Sequence, residues 1–104
     1  MTGQLPIDPD SPERDLPRSI EEQTELVFKN LRIIVEAAGY TLADTVFVRI
    51  YLTKFDRDYS GLNRVYHRYF ADRESLPSRT TIGVAKLGRS ALVEIDAVLY
   101  RAGV

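Results

Sequence analysis

Arg79 stands in the segment Leu76-Pro77-Ser78-Arg79-Thr80-Thr81-Ile82-Gly83-Val84, and two carboxylates follow in Ala91-Leu92-Val93-Glu94-Ile95-Asp96. A planar guanidinium suits bidentate capture of a small carboxylate, and a glutamate beside it can position a water or move a proton. Both segments read as short strands joined by the turn Leu87-Gly88-Arg89-Ser90. Strand side chains alternate, so Glu94 and Asp96 share one face while Val93, Ile95, Ala97 and Leu99 line the other. Thr81, two residues beyond Arg79, shares the arginine's face.

Each of these residues also has a purely structural reading. Arg79 could make a surface or interface ion pair at a strand end. Glu94 could pair with Arg49, Arg89 or Arg101, and Asp96 reads as the structural partner of a neighbouring arginine. Asn63 could be a helix-surface amide, and Tyr66 falls on an apolar stripe. His67, the only histidine, lies by helical spacing between Arg64 and Arg68 on a polar flank. With no cysteine and no cluster at ligand spacing, no metal site is expected. No Ser-His-Asp arrangement is evident, and the six glycines are scattered rather than gathered in a phosphate loop. Nothing in the inventory calls for a cofactor.

The positioning elements follow from periodicity. Residues 8 to 18 are rich in proline and aspartate and read as an irregular loop. A helix starts at Ser19, where Ser19-x-x-Glu22 matches a capping box, and Gly39 is placed to stop it. Ile20, Thr24, Val27, Phe28, Leu31, Ile34, Val35 and Ala38 make its buried stripe. Thr45 to Thr53 alternates as a strand, with Val46, Val48, Ile50 and Leu52 facing one way and Phe47, Arg49 and Tyr51 the other. A second helix is expected from about Asp58 to Phe70. A hairpin of Arg79–Leu87 and Ala91–Tyr100 then closes the chain. The order of strand remnant, helix, strand, helix, strand, strand predicts an α+β fold with two helices on one face of a small sheet. Apolar residues on the other face need a second cover, which in so short a chain points to another subunit.

The 104 residues predict a single domain, 1–104, and 44 % hydrophobic with 28 % charged content is ordinary for a globular chain. A net charge of −1 with dispersed basic residues predicts neither a nucleic-acid nor a membrane partner. The N-terminus lacks a basic region followed by an apolar run, and no stretch reaches membrane-spanning length, so a cytoplasmic protein is expected.

The Pro77-Ser78-Arg79-Thr80 strand start, the alternating run, the turn and Val93-Glu94-Ile95-Asp96 resemble the C-terminal signature of the Rid (RidA/YjgF) reactive-intermediate deaminases. Three further stretches agree in order and spacing: Thr2-Gly3-Gln4-Leu5-Pro6-Ile7-Asp8-Pro9; the helix from Glu21-Glu22-Gln23 to Ala38-Gly39; and Val48-Arg49-Ile50-Tyr51-Leu52-Thr53 with Asn63 and Tyr66 downstream. The resemblance implies a chorismate-mutase-like fold with a small mixed sheet. It also implies a homotrimer with ligand clefts between subunits, and hydrolysis of enamine or imine acids of the 2-aminoacrylate type to 2-keto acids and ammonia. It places the carboxylate-binding arginine at Arg79 and the water-handling glutamate at Glu94. Thr2, Gly3, Asn63 and Thr81 would then contact substrate, Gly3 and Thr81 through main-chain groups. The partner is a small carboxylate-bearing imine or keto acid.

The sequence departs from that family in two places. Family members begin with about two further strands, including a Gly-Pro-Tyr-Ser/Thr stretch whose tyrosine closes the pocket. Here Met1 directly precedes Thr2-Gly3-Gln4, which implies a more open cleft or a start codon assigned too late. Leu87-Gly88-Arg89 replaces the frequent Leu-Pro of the turn. A non-catalytic keto-acid sensor or interaction module on the same scaffold is the alternative function. A ribonuclease role, described for some relatives, fits poorly with a pI near 5.8.

Overall fold

The computed structural model describes residues 3–70 and 76–101. Helix α1, Ile20–Ala37, is fixed at both ends by local chemistry. Ser19 caps it in extended conformation, its Oγ accepting from the Glu22 amide at 3.1 Å. Gly39, at φ +87°, turns the chain out of the helix. Its amide bonds the Glu36 carbonyl while the Tyr40 amide reaches Val35, the two hydrogen bonds of a Schellman ending. The buried stripe is Ile20, Thr24, Val27, Phe28, Leu31 and Val35. Ile34 and Ala38, expected in that stripe, are exposed. Gln23 and Asn30 are buried instead, because the helix must tie down loops on either side. Gln23 donates to the Pro17 carbonyl and accepts from the Leu92 amide; Asn30 donates to the carbonyls of Leu5 and Ile7.

Helix α2 runs from Phe55 to Phe70, three residues longer at its start than the sequence pattern suggested. The Asp58 amide bonds the Lys54 carbonyl at 2.9 Å, so Asp58 lies inside the first turn. Asp56 and Asp58 there sit at the positive end of the helix dipole, which looks in sequence like a cap further on. The helices are tied by Arg64–Glu21, Arg68–Glu25 and a hydrogen bond from the Tyr69 hydroxyl to Glu25.

They approach closely at Gly61, where an added Cβ would come within 2.5 Å of Ile20 Cγ2. Gly61→Ala is therefore expected to destabilise the fold by about 1–3 kcal/mol. That loss outweighs the up to ~1 kcal/mol that alanine gains as a helix former. Urea titration monitored by circular dichroism measures it; an unchanged or raised midpoint would mean that the helices do not pack this tightly.

Three strands form a mixed sheet in the order β2-β1-β3: β1 is Thr45–Leu52, β2 Ser78–Gly83 and β3 Val93–Leu99. β1 pairs in parallel with β2 and antiparallel with β3. The expected hairpin between the last two strands does not form, because β1 lies between them. Two pressures explain this. Val48, Ile50 and Leu52 are almost completely buried, as suits a central strand. A strand–helix–strand unit built on α2 also returns β2 parallel to β1. Residues 84–92 then cross the end of β1, strapped down by Val84 N to Leu52 O and Thr53 N to Leu92 O.

Both helices cover one face of this sheet, as expected. Phe28, Leu31, Leu62, Val65 and Phe70 meet Val48, Ile50, Leu52, Val93 and Ile95 in a single core. A register shift between Thr45 and Phe47 inserts Val46 as an extra residue. Thr45 is consequently buried and Val46 is 46 % exposed, reversing the expected inward placement of Val46. On the open face lie Phe47, Arg49 and Tyr51 with their cross-strand partners Ile82, Glu94, Asp96 and Val98. Gln4 adds one antiparallel bridge to Ile95 at the outer edge of β3. No helix among the described residues is long and apolar enough to cross a membrane.

Candidate functional site

Arg79 and Thr81 pair in register with Val48 and Ile50, so both side chains point toward the helices. There they meet Phe55, Tyr59, Asn63 and His67, a series at four-residue spacing that lays one face of α2 along β2. These six residues line an open cavity of about 400 Å³. Arg79 is held from three sides. Its Nε donates to Thr81 Oγ1 at 2.8 Å. Its Cζ lies 4.5 Å from the centre of the Tyr66 ring and 5.6 Å from that of Tyr59. Its Nη2 is buried without a hydrogen-bond partner, as is Asn63 Oδ1.

Buried donors are seldom left unpaired, and among the described residues no carboxylate pairs with Arg79. The surface ion pair that its position could have implied is thus not formed within the described chain. A rigid cation that lines a cavity and has a donor to spare is equipped to take an anionic oxygen. The larger groove along the outer side of α1, lined by Leu26, Lys29, Arg32 and Ile33, contains none of these orphaned groups.

Glu94 belongs to a second cluster. It faces the open side of the sheet opposite Tyr51. Its carboxylate rests against the backbone of Gly3, where an added Cβ would fall 2.5 Å from Glu94 Oε2. Gly3 is held there by the neighbouring bridge, Gln4 N to Ile95 O at 2.8 Å and Ile95 N to Gln4 O at 3.1 Å. Among the described residues, no hydrogen bond or ion pair reaches the Glu94 carboxylate. Arg49 is bound to Asp96, with Nε 3.3 Å from Oδ1, and the Tyr51 hydroxyl donates to the same carboxylate at 3.4 Å. Arg89 donates to the carbonyls of Pro12 and Arg14, and Arg101 binds Asp44 and the Gly39 carbonyl. Asp96 is the structural partner that the sequence suggested; Glu94 is the carboxylate left over.

Arg79 and Glu94 therefore lie on opposite faces of one sheet, with β1 between their strands. A single chain does not place the glutamate beside the arginine, as the strand pattern alone had suggested. Thr2 lies outside the described residues. Asn63 and Thr81 join the arginine, and Gly3 joins the glutamate. His67, assigned by spacing to a polar flank, instead lines the arginine cavity. It stands edge-on to Tyr66 at 5.8 Å and 82°. The overlooked signal was the series 55, 59, 63, 67, whose mixed apolar and polar residue types hid a continuous helix face. No group of three histidines, cysteines or acids is placed to hold a metal among the described residues.

A family model described as Endoribonuclease L-PSP matches residues 1–100. A RutC family protein of Pyrococcus horikoshii is 40 % identical over 101 residues, covering 97 % of this chain and 77 % of the relative. A Thermotoga maritima protein provisionally called an endoribonuclease superposes with TM-score 0.90 at 41 % identity, covering 99 % of this chain and 78 % of that one. Escherichia coli TdcF, provisionally named a reactive intermediate deaminase, is 30 % identical over 101 residues, or 96 % of this chain and 76 % of TdcF. Its crystal structure with bound serine superposes with TM-score 0.89 at 28 % identity over 98 % of this chain and 79 % of that one.

Proposed function

The chain belongs to the endoribonuclease L-PSP family, the family of the YjgF and Rid proteins, and from that premise we propose that it hydrolyses reactive imine acids of the 2-aminoacrylate type to 2-keto acids and ammonia. The observation that carries this reading is Arg79 itself, which lines the cavity with one donor left unpartnered while Thr81 and two tyrosine rings hold its side chain in place. It is a socket for a small carboxylate. The relative TdcF, seen with bound serine, supports a ligand that carries nitrogen and carboxylate on one carbon.

In this reading Arg79 holds the substrate carboxylate, and Asn63 and the main chain at Thr81 orient the neighbouring atoms. Glu94 positions a water and takes one of its protons as the oxygen attacks the C=N carbon. The proton passes to nitrogen, the C–N bond breaks, and ammonia leaves as the carbonyl forms. One water is consumed for each imine, and no electron changes hands. The close contact between Gly3 and Glu94 leaves room for a substrate only because position 3 has no side chain.

Glu94 reaches the Arg79 cavity only from a second copy. We place the site in a cleft between subunits of a homotrimer, in which the open sheet face is covered. Val98, at 51 % exposed, and Ile82, at 40 %, are the apolar residues on that face that such a partner would bury. A net charge of −1 favours a small acid over RNA as substrate.

An amino-acid oxidase can generate imines in situ while keto-acid appearance is followed. The rate is expected to rise in proportion to added protein above the spontaneous rate. A rate indifferent to micromolar protein would overturn the proposal.

A further inference from the structure

We propose that His67 determines specificity at this cavity by meeting a second anionic group on the ligand, so that the site favours dicarboxylic imino and keto acids over monocarboxylic ones. The inference rests on the reading of Arg79 as the carboxylate-binding group. It starts from the placement of the imidazole. Tyr66 is almost fully buried, and the Arg79 guanidinium lies over its face while His67 stands against it edge-on. One fixed ring thus sets two nitrogen-rich groups at the same end of the cavity.

The two ends of that cavity differ in chemistry. A Cβ on Gly83, at the far end of β2, would touch Phe55, so the start of α2 packs there. Phe55 and Tyr59 stack at that end, 5.1 Å apart and 19° from parallel. Arg79, Asn63 and His67 form the opposite, polar end. None of the six lining residues is an acid. A ligand with one carboxylate and an apolar side chain uses Arg79 and the aromatic end, leaving the imidazole without a task. A second carboxylate held at the polar end finds a donor in His67.

Among the described residues, the charged neighbours of His67 on α2 are engaged elsewhere. Arg64 and Arg68, its neighbours on α2, are bound to Glu21 and Glu25 of α1. Among the described residues, Arg79 faces it from β2, and Asn63 and Tyr66 flank it on its own helix. Among the described residues that line the cavity, His67 is the basic side chain besides Arg79, and it is solvent-accessible.

Calorimetric titration with a matched pair, 2-oxoglutarate and 2-oxopentanoate, tests this on the intact protein. The readout is the ratio of the two dissociation constants within each variant. The diacid is expected to bind roughly three- to fivefold tighter, the range for a partly exposed ion pair. His67→Gln should bring the ratio toward one. His67→Lys should keep the preference. A wild-type ratio near one, or a preference that survives in His67→Gln, would overturn the inference while Arg79-dependent binding of both acids left the underlying reading intact. Binding of neither acid, or binding unaffected by Arg79→Ala, would overturn both.

Discussion

Arg79→Ala is expected to lower kcat/KM for imine hydrolysis by roughly 10²–10³-fold, the usual loss when one partner of a desolvated charge-assisted hydrogen bond is removed. Stability should barely change. The unliganded protein holds Nη2 buried and unpaired, which is unfavourable, and alanine relieves it. Against that relief stand the lost contacts with the Tyr66 and Tyr59 rings, about 0.5–1 kcal/mol each. These terms nearly cancel, so the melting temperature should stay within about 5 °C of wild type. Arg79→Lys should not rescue activity. An ammonium cannot keep the hydrogen bond to Thr81, stack on two rings and still present a second donor to the ligand. The oxidase-coupled assay and a thermal melt on the same samples check both halves. An alanine variant within tenfold of wild type would remove Arg79 from the site.

Mixing two inactive variants should restore activity. Arg79→Ala lacks the carboxylate socket and Glu94→Gln the proton-handling group, and each alone is expected to be nearly inactive. If every site takes its arginine from one chain and its glutamate from another, random co-assembly of equal amounts makes about a quarter of the sites intact. Roughly a quarter of wild-type activity should therefore appear in co-expressed or co-refolded mixtures, and none when the preformed variants are mixed without exchange. Absence of recovery in verified mixed oligomers would mean that Glu94 does not complete the Arg79 cavity. The two opposite sheet faces would then have to be reconciled in another way.

Much of this architecture was legible in the residues because it depends on local rules. The Ser19 cap, the Gly39 stop and the inward run Val48, Ile50, Leu52 follow from side-chain chemistry within a few positions. Strand partnership was not legible. β2 and β3 are neighbours in sequence and looked like a hairpin, yet each pairs with β1, because pairing is decided by what the helices must cover. Val46 was misplaced for a related reason: one extra residue in a bulge reverses every inward-outward assignment before it. Gln23 and Asn30 fall outside the apolar stripe because their burial comes from hydrogen bonds to loop backbone, not from apolar packing. The site shows the same division. Arg79, Thr81 and Asn63 were singled out and do share a cavity, whereas the separation of Glu94 onto the other face depends on a strand order that no local pattern encodes. His67 was hidden among arginines whose charges belong to another helix.

The central position of β1 also affects how the chain is made. Its antiparallel partner, β3, is synthesised roughly forty to fifty residues later. At about 5–20 residues per second, translation leaves that flank of β1 without its mate for roughly 2–10 s. During this interval Val48, Ile50 and Leu52 can be covered by α1 and α2, but the backbone groups that will face β3 are open to any passing strand. A stalled or truncated message lacking residues 93–99 would yield an apolar ribbon with a bare edge. Of the three described strands, the one made latest is the one that gives β1 its second partner.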